Sequence, residues 1–344
     1  MKKNVLLLVS FICFYACNKD GVSICEEKEQ KENPLLEILK NDVYLEFPTD
    51  ELFFAVLEND VHEDFEELIL SKSQSEGFVS FAQAYDEFVN KVNCEEISEQ
   101  EFYALLVEYQ DILIIDDDRI VPRIDHPLVN RFISRNGLVK IGNELAIYTE
   151  YEKIVATDGD INTLIKAISS NVETENVYRF RYRLQEIQLK SSYCGSFQQD
   201  RFTNSRDDRR AMITSRIVME YHKRAGYTYC SNQNGGDFRT YAETIGYPER
   251  RHWLTSNWVN YKTINTLDLN YQARAYSGPL HNVIVFRQNS NAASSITHTH
   301  LLHQGQGCWS QQGDFQGEFL RIVANKYKTD GINPNWVILN CGVY

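Results

Sequence analysis

Residues 211–221 read AMITSRIVMEY, a run of apolar and β-branched side chains interrupted by Ser215-Arg216 and by Glu220, with neither Gly nor Pro. We read it as a strand, against a competing helix over 208–223. The residues that follow favour the strand. Polar, β-branched and aromatic residues dominate, and Gly and Asn punctuate short runs at 238–245, 258–264, 267–276, 282–287, 295–302, 318–327 and 336–340. Eight short strands with turn signals between them predict an all-β antiparallel sandwich or barrel-like domain over residues 179–344. No internal repeat of 20–50 residues is evident.

Upstream, the pattern changes. Over residues 34–178 the periodicity is mainly helical. Thr49 stands before Asp50-Glu51 as an N-cap with acids in the first turn, and Leu52, Val56 and Leu57 share a face. Ser98-Glu99-Gln100-Glu101 is a capping box that predicts a helix over 98–109. Phe81, Tyr85 and Phe88 form a stripe at helical spacing, read as core. Asp160 caps a further helix with Ile161, Leu164, Ile165 and Ile168. Between these, LVKI (138–141) and LAIY (145–148) alternate about Gly142-Asn143 as a β-hairpin. The expected fold class is therefore α+β and multi-domain: an acidic helical domain (34–178) with a small hairpin, then the β-rich domain (179–344).

The charge follows the same division. The net formal charge is −13, but residues 17–190 carry 17 basic and 37 acidic residues, against 16 and 11 in residues 191–344. The acidic half would repel nucleic acid and anionic headgroups, whereas the weakly basic half could face nucleic acid or a polyanionic glycan; charge alone does not choose, and no nucleic-acid partner is expected. Apolar residues at 43% and aromatics at 12% describe a globular chain with enough length for two cores.

At the N-terminus, Lys2 and Lys3 precede VLLLVSFICFY (5–15), an apolar run of signal-peptide length that is too short to span a bilayer as a helix. Ala16 and Cys17 follow. FYAC with Asn18, Lys19 and Asp20 resembles the relaxed lipobox of Bacteroidota lipoproteins, although Phe14 stands where strict lipoboxes have Leu. The resemblance implies a signal peptide over 1–16, lipid on Cys17 and a polar tether over 17–33. It also implies a cell-envelope location, on the outer membrane with exposure at the surface. More than one acyl chain on the cysteine would make the anchor stable. GFVSFAQAYDEF (77–88) and NGLVKIGNELAIYT (136–149) resemble a recurring N-terminal region of such lipoproteins, which implies no activity.

Six cysteines lie beyond Cys17, and outside the cytoplasm an even number is compatible with disulfides. Cys194, Cys230, Cys308 and Cys341 are the candidates, with all three pairings open. No CxxC occurs. His298 and His300, in THTHLLH, would share one strand face and could hold a metal with a third ligand from His281, His252 or an acid. The competing reading is two histidines on a solvated or partly buried strand. HxH resembles the opening of the cupin metal motif, but the glutamate expected next is missing. Trp253, Trp258 and Tyr261, amid Asn and Arg, could stack on sugar rings; alternatively Trp258 and Tyr261 are core.

No Walker A, GxGxxG, GxSxG or HExxH pattern is present. No cofactor is expected. The sequence favours a non-catalytic surface module that binds a glycan, peptide or partner protein. The alternative is an extracytoplasmic hydrolase or metal-dependent enzyme using the His298/His300 strand.

Overall fold

Among the described residues, three β-sheets and a few short helices form the fold, and strand residues far outnumber helical ones. The computed structural model describes residues 39, 41–58, 71–93, 97–126, 128–170, 175–182, 194, 196–223, 235–252, 255–276, 278–308, 316–330, 332 and 336–341. The residues read as a signal peptide (1–16) and as a tether with Cys17 (17–33) lie outside them, as do Cys230 and Trp253.

The first sheet corrects the expected fold class. Residues 34–178 do not form a helical domain. Strands β1 (Glu46–Phe47), β4 (Leu138–Ile141), β5 (Glu144–Tyr148), β6 (Glu152–Ala156) and β7 (Val177–Arg181) form a five-stranded sheet in the order β1-β4-β5-β6-β7. Of these, only the β4–β5 hairpin shows in the sequence. Both faces of the sheet are covered, so its strands lack the alternation that marks a half-exposed strand. On one face, Leu138, Leu145, Ile147 and Ile154 pack with Leu164 and Ile165 of helix α4 (Ile161–Ser170). On the other, Val139, Ala146, Tyr148, Val155 and Phe180 pack with helices α1 (Asp50–Leu57), α2 (Phe81–Val92) and α3 (Glu99–Glu108).

Helices α1 and α3 start where their caps predict, and α2 starts at a capping box absent from the sequence expectations. Thr49 accepts from the Leu52 amide, and Ser80 and Ser98 each close a capping box, with Gln83 and Glu101. Phe81, Tyr85 and Phe88 are all buried.

The second sheet runs β2-β3-β11-β10-β9-β8, with β14 on the same edge of β10 as β11. Its strands are β2 (Leu113–Asp116), β3 (Arg119–Pro122), β8 (Phe197–Thr203), β9 (Arg209–Lys223), β10 (Gly235–Arg251), β11 (Trp258–Asn260) and β14 (Ile296–Cys308). The stretch 211–221 is thus strand, not helix. Sequence-distant strands meet in this sheet: β3 lies parallel to β11, with Trp258 opposite Arg119. The third sheet, β13-β12-β15-β16, comprises β12 (Thr263–Ala275), β13 (His281–Ala293), β15 (Gly317–Thr329) and β16 (Val337–Cys341). Ala211, Ile213, Ile217 and Ala242 of the second sheet pack against Leu267, Tyr271, Phe319 and Tyr327 of the third. Gly246 allows this approach, because a Cβ there would run into the Tyr327 ring.

Cys194 and Cys341 form a disulfide that ties the final strand to the residues before β8, and Cys308 is also disulfide-bonded. Pro34–Tyr344 clusters as one compact unit. Among the described residues no helix is long and apolar enough to cross a membrane.

Candidate functional site

Strands β9 and β10 are buried on both faces, yet one face is charged. Arg210, Arg216 and Glu220 alternate along β9, and Glu249, Glu243 and Arg239 stand directly opposite them on β10. Arg210 donates to Glu249 and Arg216 to Glu243, each at 2.6 Å. Further partners come from the first half of the chain, while Arg210 Nη2 and Glu243 Oε1 stay without a hydrogen bond. Asp125 binds Arg216 at 2.5 Å, Arg119 binds Glu249 at 2.7 Å, and Glu58 receives Arg239. Glu220 is fully buried and takes His126 at 2.8 Å, the Tyr148 hydroxyl at 3.0 Å and Lys153 at 3.4 Å. Burial pushes the Glu220 carboxyl up, but Lys153, His126 and Tyr148 together pull it below the usual range. A buried charge persists only when paired and hydrogen-bonded, and this seam meets that condition with residues from both halves. The opposed net charges of the halves therefore have an internal destination.

Two cavities border the seam, of about 650 and 1220 Å³. Pro122, Asp125, Tyr247 and Asn260 line both, so the residues around β3 form their common wall. The larger lies among α2, the 128–132 turn, β10 and the start of β14. Four of its lining residues carry buried polar atoms without a protein partner: Tyr85 Oη, Asn130 Oδ1, Gln288 Oε1 and His298 Nε2. Their other contacts hold them in place. Asn130 donates to the Ile124 carbonyl at 2.7 Å, and Gln288 donates to the Thr297 carbonyl at 3.1 Å. Asp86, in the same wall, accepts from Ser294 Oγ at 2.8 Å and pairs with Lys262 at 3.4 Å.

Burial, then the neighbouring His300, lowers the His298 pKa, so its imidazole is neutral at neutral pH. Burial raises the Tyr85 pKa, so its hydroxyl stays protonated. Behind the lining thus lie a hydroxyl, a neutral imidazole and two amide oxygens, each almost without accessible surface. These groups hydrogen-bond neutral partners.

His298 and His300 stand two positions apart on β14 but meet different partners. His298 lies in the cleft wall, whereas His300 Nε2 meets His281 Nδ1 at 3.1 Å. Among the described residues, no group of three or more His, Cys, Asp or Glu side chains is placed to hold a metal. Trp258 is buried, with the Arg210 guanidinium 4.3 Å from its ring centre, and offers no face to a sugar. Tyr261 is half-buried and donates to the Asp330 carbonyl at 3.1 Å. The cleft residues Tyr85, Asn130 and Gln288 escape sequence reasoning. Tyr85 belongs to an apolar stripe, and nothing distinguishes Asn130 or Gln288 from other surface amides.

No family model matches the chain, and no curated protein matches it. Among solved structures it is similar to the crystal structure of a DUF4848 family protein from Bacteroides thetaiotaomicron. Identity is 14%, the alignment covers 86% of this chain and 96% of that one, and the TM-score is 0.26. At that TM-score the likeness assigns neither fold nor function to this chain.

Proposed function

We propose that this chain is a lipid-anchored protein of the bacterial outer membrane whose larger cleft binds a neutral, hydroxyl-rich ligand, an oligosaccharide. The observation that carries the binding reading is the set of four unpartnered polar atoms in one cavity wall. Leaving a buried donor or acceptor unmet costs roughly 1–3 kcal/mol. A ligand that satisfies several at once recovers that cost. Sugar hydroxyls both donate and accept, so one chemical class meets the phenol, the imidazole and both amide oxygens. At about 1220 Å³ the cleft exceeds the usual range of small-ligand sites, about 300–1,000 Å³, and has room for more than one sugar ring.

A hydrolytic role for His298 is less well supported. Asp86, a carboxylate of the same cleft, is engaged by Ser294 and Lys262. The membrane address rests on Lys2-Lys3, the apolar run over 5–15 and Ala16-Cys17. The Cys194–Cys341 bond supports an oxidising compartment.

The test is a glycan array probed with the protein, followed by calorimetry on its hits. Tyr85→Phe and Gln288→Met should each weaken a neutral oligosaccharide by about 2–12-fold, the worth of one hydrogen bond. Binding only of acidic glycans, or affinity unchanged in both variants, would overturn the cleft reading. Incorporation of labelled palmitate that vanishes in Cys17→Ser tests the anchor separately.

A further inference from the structure

His281 opens β13, an edge strand of the third sheet, and His300 lies on β14, which pairs with β10 of the second. Their rings meet edge to face, with centroids 5.1 Å apart, across the gap between the two sheets. His300 Nε2 and His281 Nδ1 are 3.1 Å apart, and His281 Nε2 is buried without a partner. Both side chains remain partly exposed, so an ion from solvent can reach them.

We propose that His281 and His300 form a two-histidine binding site for a divalent transition metal, a staple between the two sheets. The distance supports this. With metal–nitrogen bonds of about 2.0–2.1 Å, two imidazoles on one ion lie ~2.9 Å apart at a right angle and ~3.4 Å apart at the tetrahedral angle. The observed 3.1 Å falls between these limits. The hydrogen-bonded rings need only turn about the broad terminal torsion of histidine to aim both lone pairs at one point. Imidazole donors select copper, nickel or zinc over magnesium or calcium. Water fills the other coordination positions, because the described residues hold no group of three metal-ligating side chains. The site is separate from the saccharide reading of the cleft and does not depend on it.

The experiment titrates purified protein without a histidine tag with copper, nickel or zinc chloride alone, with magnesium chloride as control. Calorimetry and the melting temperature are followed together. One equivalent of copper should bind and raise the melting temperature, because binding favours the folded state. The copper electron-spin resonance spectrum should show two coordinated nitrogens. His281→Ala and His300→Ala should each weaken binding at least tenfold and abolish the thermal shift. His281→Asn, closer in size, guards against simple misfolding and should behave as His281→Ala does. His303→Ala should bind as the parent does. Absence of binding, or binding undiminished in the folded His281 and His300 variants, would overturn the proposal.

Discussion

Tyr85 is the sharpest point at which local chemistry and packing disagree. Its ring belongs to the helix stripe that fills the core, yet its hydroxyl is buried without a protein partner. Tyr85→Phe should therefore leave unfolding free energy unchanged or raise it by about 1 kcal/mol, measured by urea denaturation, since only an unmet polar group is removed. Glu144 makes the opposite case for a charge. Burial, opposed by the Tyr178 hydroxyl and Lys153, pushes its pKa up to about 7. The folded form then binds a proton more tightly than the unfolded one. Its contribution is fully present below the ordinary value of 4.5 and is lost as pH rises through about 7. Glu144→Gln should remove that loss, gaining on the order of 3 kcal/mol over the parent at pH 8 and little at pH 4. Denaturation series at the two pH values read the difference. None of this is legible in sequence, because the burial that shifts a carboxyl is created by residues far along the chain. Tyr178, which donates to Glu144 at 3.0 Å, lies 34 positions away.

At the scale of elements, the legible features are those settled by neighbours in sequence. The capping boxes at Ser80 and Ser98 and the turn at Gly142-Asn143 need only local hydrogen bonds and backbone angles. Gly142 adopts a φ of 59°, as a hairpin turn of this kind requires. The short strands of the first half are not legible. Glu152–Ala156 reads EKIVA, and four of its five residues are buried because the sheet is covered on both sides. Too short for a helix and lacking alternation, such a segment carries no period from which to tell its state. The long strands of the second half kept enough β-branched and aromatic character to be placed. Their close approach adds a test. Gly246→Ala would drive a methyl group into the Tyr327 ring, whose hydroxyl donates to Asn265 at 2.6 Å. A loss of about 1–3 kcal/mol, the usual cost of overpacking, is expected in urea denaturation.

Across the whole molecule, the telling feature is that ion pairs cross between the two halves. Asp125 with Arg216 and Glu58 with Arg239 join first-half acids to second-half bases, and Lys153 with Glu220 joins the halves in the opposite sense. Lys153→Met should cost about 3–5 kcal/mol by leaving Glu220 buried without its cation, measured by denaturant unfolding. Because pairs such as these join the halves, scanning calorimetry should show one transition with agreeing calorimetric and van't Hoff enthalpies. Two resolved transitions would mean that the seam does not couple them.

The pairing of β3 with β11 also sets a clock. Arg119 and Trp258 are about 140 residues apart, so at roughly 5–20 residues per second the first must wait about 7–28 seconds after synthesis for the second to exist. For the first part of that interval Asp125 and Glu58 still lack Arg216 and Arg239, the partners that hold them in the finished fold. The nascent segment carries a large excess of like charge, which keeps it extended, hydrated and unwilling to associate with its copies. The acids that close the finished protein thus protect the unfinished one.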